Sequence, residues 1–316
     1  MEITLSVKRY DPDSKGTEPY FQDYPLELDE SAMVLDGLIK VREEIDGSLA
    51  LRCSCRSAIC GSCTMRVNGQ ARLSCKTKIS EVTDKDSRVV VIEPAGNMAV
   101  IKDLVTDFTP FWDKVLAIEP WLQPGGNEPE GEYIASDESM LHLAGVMGCI
   151  MCGACVSDCT VLEVDESFLG PAALAKAYRF VADPRDSADA SRLDALNGSG
   201  GVWDCTRCMQ CVEVCPKGVD PMSRIMDLRD RAMEAGHTKT YGARHANAFA
   251  DDVRKIGRVD ELRLPIMSKG IFNIKELLKM LPLGIRAQLN GKRPPIFPKK
   301  NPGQENVRRL FDKEEP

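Results

Sequence analysis

Residues 149–159 read CIMCGACVSDC, and residues 205–215 read CTRCMQCVEVC with Pro216 immediately after. Both are C-x2-C-x2-C-x3-C. A pair of such runs wraps two cubane-type iron–sulfur clusters, the fourth cysteine of each run crossing to the other cluster. On that rule Cys149, Cys152, Cys155 and Cys215 hold one cluster, and Cys159, Cys205, Cys208 and Cys211 hold the other. Upstream, residues 55–63 read CRSAICGSC, a C-x4-C-x2-C spacing with Cys75 beyond it. That is the spacing of a [2Fe–2S] site, with Cys55, Cys60, Cys63 and Cys75 as ligands. Of the 13 cysteines, Cys53 is left over. It lies two residues before Cys55, where no second ligand is needed, and reads as a free thiol.

Other uses of so many thiols fit worse. A chain of 316 residues buries an ample core without covalent staples, so a disulfide framework is not expected. Zinc accepts thiolates four at a time, and two interleaved runs exceed what it needs. The chain opens MEITLSVKRYD, which has no apolar h-region, so no secretory signal is expected. The longest tempting apolar stretch, LHLAGVMGCIMC, is too short to span a bilayer. A formal net charge of −7 argues against nucleic acid, which attracts a basic footprint. Charge is unevenly spread: residues 262–310 hold eleven Lys or Arg against Glu276 and Glu305. That stretch reads as a solvated face or as a docking surface for a partner or anionic headgroups.

Working outward from the cysteines, Ile3, Leu5 and Val7 alternate with polar residues as in a half-buried strand, and Phe21 to Leu28 offers a second strand after a turn with Gly16 and Pro19. MVLDGLIKVREEID follows helical spacing, with Ser31 as the expected N-cap. TMRV-NG-QARL is a hairpin, because Asn68-Gly69 supplies positive φ at both turn positions. VVVIEP closes the unit as a buried strand. The expected fold class is therefore α+β: an N-terminal plant-type ferredoxin-like (β-grasp) [2Fe–2S] domain, then an all-α bacterial ferredoxin-like two-cluster domain. PAALAKAYRFVAD reads as a helix started by Pro171, and SRIMDLRDRAMEAG as one ended by Gly236. The expected divisions are 1–108, 109–235 and a basic, Pro-rich, partly helical extension 236–316. GGNEPEGEY (125–133) reads as a surface loop. In the extension, Ile274, Leu277, Leu278 and Leu281 share a face read as core-facing before Pro282 stops the helix, and KRPPIFPKKNPG reads as an extended surface run.

No catalytic constellation is apparent. His142, His237 and His245 are scattered, and neither a G-x-G-x-x-G after a strand nor a P-loop occurs. Three one-electron centres without a catalytic site describe a relay, with the two-electron chemistry on a partner that carries a flavin.

These residues resemble one family, the iron–sulfur subunits of succinate dehydrogenase and fumarate reductase. The resemblance is carried by CRSAICGSCTMRVNG, VIKDLVTDFTPFW, GCIMCGACVSDCT, FLGPAALAKAYRFVADPRDS, SRLDAL and CVEVCPKGVDP, over roughly residues 1–235. It implies a flavoprotein partner carrying FAD, indirect delivery of electrons to or from quinone, and a place on the inner face of the cell membrane through partner subunits. Either succinate oxidation or quinol-driven fumarate reduction fits. A freestanding carrier for a heterodisulfide-reductase-type complex is the remaining alternative. Three departures stand out. The common branch has an apolar or small residue where Cys208 stands and a [3Fe–4S] third cluster; Cys208 supplies the missing ligand and implies [4Fe–4S], at lower potential. Thr160 and Thr206 stand where the common branch has a Pro and a His near its quinone, and the stretch Thr160-Val161-Leu162-Glu163-Val164 lacks the Trp that branch carries a few residues after its Pro. Finally, GARHANAFADDVRKIGRVDELRL and LPLGI…NGKRPP are similar to tails of heterodisulfide-reductase-type subunits, which implies a CCG-domain membrane partner.

Overall fold

The computed structural model describes residues 1–13, 18–83, 87–126, 129–292, 294–295 and 298–314. The chain divides into two compact units, Met1–Leu228 and Arg229–Pro316.

The first unit opens with strands β1 (Glu2–Arg9) and β2 (Tyr20–Glu27), then helix α1 (Val34–Lys40). Strands β3 (Thr64–Val67) and β4 (Gln70–Leu73), a short helix α2 (Ile79–Val82) and strand β5 (Val89–Glu93) complete a sheet of order β2-β1-β5-β3-β4. It is mixed: β1 runs parallel to β5 with Leu5 beside Val90, and β2, β3 and β4 pair antiparallel. The alternation seen in sequence decides which face is covered. Ile3, Leu5 and Val7 are buried with Val90 and Ile92 against Val34, Leu38 and Val41. The β3–β4 hairpin turns at Asn68 (φ 50°) and Gly69 (φ 79°), as its Asn-Gly dipeptide requires. The turn expected around Gly16 lies outside the described residues.

The expected Ser31 cap is not the cap. Ser31 Oγ donates to Asp29 at 2.5 Å, and α1 starts two residues later, where Asp36 accepts the Met33 N–H at 2.9 Å. A carboxylate in the first turn does the same work and adds a favourable charge at the helix N-terminus. Beyond Lys40 the helix loosens into a π turn over Val41–Ile45. A buried knot then fixes the chain leading to the first cysteine loop. Arg9 donates to Asp103 at 2.9 Å, to Asp46 at 2.6 Å and to Ser48 at 2.9 Å. Those carboxylates hold the guanidinium firmly charged despite its burial.

A small hairpin, β6 (Val100–Lys102) and β7 (Val105–Thr106), leads to the helical half. There follow α3 (Thr109–Leu116), α4 (Asp137–Met140), α5 (Ala144–Met147), α6 (Ala154–Ser157), α7 (Gly170–Val181), α8 (Asp189–Leu196), α9 (Gln210–Glu213) and α10 (Pro221–Glu234), which ends in the second unit. Helix α7 starts with Pro171 in its first turn, as expected, and is buried nearly all round. Its alanines at 172, 173, 175 and 177 let neighbours approach closely on several sides. Arg179 and Arg185 close its end by pairing with the buried Asp183 at 2.5 and 2.7 Å. The loop expected at 125–133 is partly described and mostly exposed; residues 127–128 fall outside.

The second unit packs α11 (Tyr241–Ile256) against α12 (Arg263–Lys269) and α14 (Gln304–Glu314), with α13 (Ile274–Leu289) after α12. Buried Asp252 pairs with Arg263, and Asp312 with Arg254 at 2.8 Å. Two expectations fail here. Helix α13 continues through Pro282 to Leu289. The proline removes one bond, to the Leu278 carbonyl, and on an exposed helix water can replace it. The stripe read as core-facing is also exposed: Ile274, Leu278 and Leu281 face outward and α13 buries no residue. The run at 292–303 is without helix or strand where described; residues 293, 296 and 297 lie outside.

Candidate iron–sulfur sites

The first cysteine loop is shaped by its backbone. Arg56, Ala58 and Gly61 adopt positive φ (56°, 55° and 72°), curling the chain so that its amides turn inward. The N–H groups of Ser57, Ile59 and Cys60 all donate to Cys55 Sγ at 3.3 Å. Amide donors converging on one sulfur are the hydrogen bonds that tune an iron–sulfur centre. The Ser62 hydroxyl, 3.1 Å from Cys60 Sγ, together with backbone amides, draws that thiol down to about 6. Burial pushes Cys63 up to about 11, and Cys75 lies beside it in the core of Leu35, Ile39 and Leu73. Cys60 and its neighbour Ile59 stand exposed at the loop tip.

The two later runs repeat in backbone as well as in spacing. Met151 and Gly153 (φ 55° and 78°) occupy the places of Arg207 and Met209 (φ 59° and 70°). In each run a left-handed residue after the second cysteine caps a one-turn helix, Gly153 for α6 and Met209 for α9. Such conformations cost a non-glycine residue about 1–2 kcal/mol, and they persist where the surroundings demand them. The wrap around a central group is that demand.

The thiols gather in two crossed sets. Cys149, Cys152, Cys155 and Cys215 line one cavity together with Ala172, Ala175 and Val219. Burial pushes Cys152 and Cys155 up; Cys149 and Cys215 raise both further, and Cys155 is raised as well by Cys211 of the other run. The Val219 amide donates to Cys215 Sγ at 3.4 Å. In the second set, burial raises Cys159 and takes Cys211 to about 12, with Cys205 and Cys208 adding to both shifts. Cys208 is the exception. Burial opposes its ionisation, yet the Thr160 hydroxyl at 3.4 Å, the Gln210 amide and the Thr206 hydroxyl outweigh it and hold the thiol below its ordinary range.

Enclosed thiols that repel one another's ionisation suit a polynuclear cation that takes all four as thiolates. Among the described residues no three His, Cys, Asp or Glu side chains close on a single ion. The donor set, all sulfur with amides aimed at it, fits iron–sulfur clusters.

The two halves of this unit meet at the cysteines. A Cβ added to Gly61 would lie 2.6 Å from Cys152 Cβ, so the first cysteine loop abuts the 149–159 run directly. Asp158, between Cys155 and Cys159, accepts the Ala71 N–H at 2.8 Å and faces Arg66 at 3.4 Å. Asn97 donates to the carbonyls of Val156 and Cys159, at 2.8 and 2.9 Å. Sequence reading missed Gly61, Ser62, Asn97 and Asp158; Gly61 and Ser62 lie inside the quoted loop, while the other two have no local signature. Cys53 packs beside the Cys63–Cys75 core. His142 meets the Ala182 carbonyl at 2.8 Å, and His245 meets Ser268 Oγ at 3.0 Å, both structural roles.

Comparison with known proteins agrees with this geometry. Residues 4–113 match the 2Fe-2S iron-sulfur cluster binding domain, and residues 145–219 the 4Fe-4S dicluster domain. The mitochondrial succinate dehydrogenase [ubiquinone] iron-sulfur subunit 1 of Oryza sativa subsp. japonica is 39% identical over 236 residues, covering 73% of this chain and 83% of that protein. The fumarate reductase iron-sulfur subunit of Mycobacterium tuberculosis is 39% identical over 225 residues, covering 71% and 90%. A chain of the Mycobacterium smegmatis Sdh1 complex in the apo form superposes with a TM-score of 0.68 at 27% identity, over 74% of this chain and 96% of that one. This chain belongs to the iron–sulfur subunits of succinate dehydrogenase and fumarate reductase.

Proposed function

We propose that this chain is the non-catalytic electron-relay subunit of a succinate:quinone oxidoreductase, built from a [2Fe–2S] domain (1–108), a two-cluster domain (109–235) and an extension (236–316). Its partners are a flavoprotein that carries FAD and a membrane-associated subunit of the CCG type, which places the chain at the inner face of the cell membrane. When bound, the clusters supply one-electron carriers between the flavin and the quinone side.

The residues divide the work. Cys55, Cys60, Cys63 and Cys75 hold [2Fe–2S]; Cys149, Cys152, Cys155 and Cys215 hold [4Fe–4S]; Cys159, Cys205, Cys208 and Cys211 hold a third cluster, also [4Fe–4S]. The observation that carries this reading is the crossed gathering of the two runs, Cys215 with the first and Cys159 with the second. Gly61 lets the first loop touch Cys152, so no side chain widens that step. Exposed Ile59 and Cys60 offer the flavoprotein an approach at one end. Exposed Cys208, and Val164, 83% exposed and five residues beyond Cys159, offer the quinone-side partner one at the other. The second direction, quinol:fumarate reduction, is favoured equally by the fumarate reductase relative at the same 39% identity.

The test is purification of the tagged subunit under argon in mild detergent. A flavoprotein and a CCG-domain subunit in stoichiometric amounts, with about ten irons per chain (two, four and four), is the expected result. About nine irons with a three-iron EPR signal overturns the third-cluster assignment. A haem-bearing anchor overturns the CCG assignment, and recovery of the chain alone moves the function to a mobile carrier.

A further inference from the structure

Helix α13 has the composition of a surface helix turned inside out. Ile274, Leu278, Leu281, Ile285 and Leu289 recur at helical spacing along one stripe and are 55–81% exposed. Ile271 and Phe272 continue the apolar surface into the preceding turn, also exposed. At 3.6 residues per turn, Lys275, Lys279 and Arg286 fall together on the flank of that stripe. Glu276 is the one acidic residue of the helix, and Lys279 and Lys269 already pair with it, Lys269 at 3.8 Å. Around the helix, residues 262–310 carry eleven cations against two carboxylates, in a chain whose net charge is −7.

A water-exposed aliphatic stripe of this length is unfavourable unless something covers it. Protein interfaces concentrate Trp, Tyr and Arg in a central desolvated pocket. This stripe has none of them and offers no hydrogen-bonding group. It is linear, aliphatic along the helix with Phe272 at its start, and bordered on one flank by cations, the pattern of a helix lying in a lipid headgroup plane. It is not a spanning segment, since no helix among the described residues is long and apolar enough to cross a membrane.

We propose that α13 is an interfacial anchor that binds an anionic lipid bilayer. Its apolar stripe sinks into the acyl boundary, and Lys275, Lys279 and Arg286 sit among the headgroups. The chain thereby holds itself to the membrane surface through its own extension, in addition to any partner subunit. This does not rest on the relay reading, because vesicle binding is read without electron transfer.

The test uses the full chain with its clusters, purified anaerobically and sedimented with vesicles of phosphatidylcholine alone or of equal parts phosphatidylcholine and phosphatidylglycerol. Binding to the anionic vesicles is expected to exceed that to neutral ones tenfold or more, and to fall as salt is added. Lys275→Gln with Arg286→Gln weakens it about fivefold per cation removed. Leu278→Gln, Leu281→Gln and Ile285→Gln together weaken it by at least about tenfold. All three positions are exposed, so helicity by circular dichroism and the visible cluster spectrum stay unchanged and show that the variants fold. Absence of binding to anionic vesicles overturns the proposal, as does binding that the stripe variant leaves intact. If instead that variant loses a co-purifying subunit while the parent protein ignores vesicles, the stripe is a protein interface and the lipid proposal falls.

Discussion

The two C-x2-C-x2-C-x3-C runs share spacing and backbone but live in different surroundings. In the first, Ile150, Met151 and Cys152 are half-buried and Gly153 is buried; in the second, Thr206, Arg207, Cys208 and Met209 are all exposed. The cause is what packs on each. Ile150 and Cys152 join the core beneath the first cysteine loop, Gly61 presses on Cys152, and Met98 and Phe108 would lie 2.9–3.1 Å from a Cβ at Gly153. Among the described residues, the sheet half of the unit covers the first run and leaves the tip of the second open. One spacing thus yields an interior centre and a surface one. Solvent access and hydrogen bonds, more than ligand identity, then set the two apart in potential.

The sharpest way to break this comparison is to remove matched ligands. Cys152→Ala should cost a whole cubane, about ten irons per chain falling to about six, and should lower the yield of folded protein, because the first run is part of the core. Cys208→Ala should lose one iron, leaving about nine, with the fold intact and a three-iron EPR signal gained. Iron analysis, EPR and thermal denaturation read both. Equal damage from the two changes would mean that the runs are not distinguished by their surroundings.

Next in size are the matched left-handed positions. Gly153→Ala adds a Cβ at φ 78° and drives it against Met98 and the Phe108 ring. Strain and overpacking together should cost about 2–4 kcal/mol, read as a lowered denaturation midpoint. Met209→Gly at φ 70° relieves strain and touches only an exposed side chain, so stability should stay within about 1 kcal/mol. A large loss from Met209→Gly would show that the open run has support among its neighbours that its exposure conceals.

Third is the residue before the last cysteine of each run, Asp158 in one and Val214 in the other. Both serve Ala71 of the hairpin: Asp158 accepts its N–H at 2.8 Å, and Val214 packs with it and Ala154. Asp158→Ala leaves a part-buried N–H without that carboxylate and should cost about 2 kcal/mol. Val214→Ala, which opens a small cavity, should cost about 1 kcal/mol. Urea denaturation of the two variants ranks them, and the reverse order would place the joint in the apolar contact.

Much of this is legible in the sequence itself. Ile3, Leu5 and Val7 announce their strand by alternation, Asn68-Gly69 announces its turn through the one backbone conformation it favours, and the cysteine spacings announce the crossed sets. What escaped reading is non-local or conditional. Nothing around Asp158 or Ala71 says they meet, since 87 residues separate them. Arg56, Ala58, Met151, Arg207 and Met209 take positive φ without the glycine that usually signals it, because the loop around a cluster imposes the conformation. The stripe of α13 follows core-like periodicity, and periodicity reports that a face is apolar without reporting what covers it. Pro282 looked like a stop because a buried helix could not lose that bond, whereas an exposed one can.

The smallest effect discriminates most finely. Thr160 follows the last cysteine of the first run, yet its hydroxyl donates to Cys208 Sγ of the second at 3.4 Å. A donor at a ligand sulfur stabilises the more negative, reduced state of the centre it serves. Thr160→Val keeps the shape and removes the donor, so the third centre should become harder to reduce. A hydrogen bond of about 1 kcal/mol corresponds to a fall of roughly 40 mV for a one-electron couple. Redox titration followed by EPR should show that fall in the third centre alone, with the [2Fe–2S] and the enclosed [4Fe–4S] unmoved. Thr160→Ser, which retains the hydroxyl, should restore the parent value. A shift shared by all three centres would trace to packing, and no shift would mean that solvent at the open run already supplies what Thr160 offers.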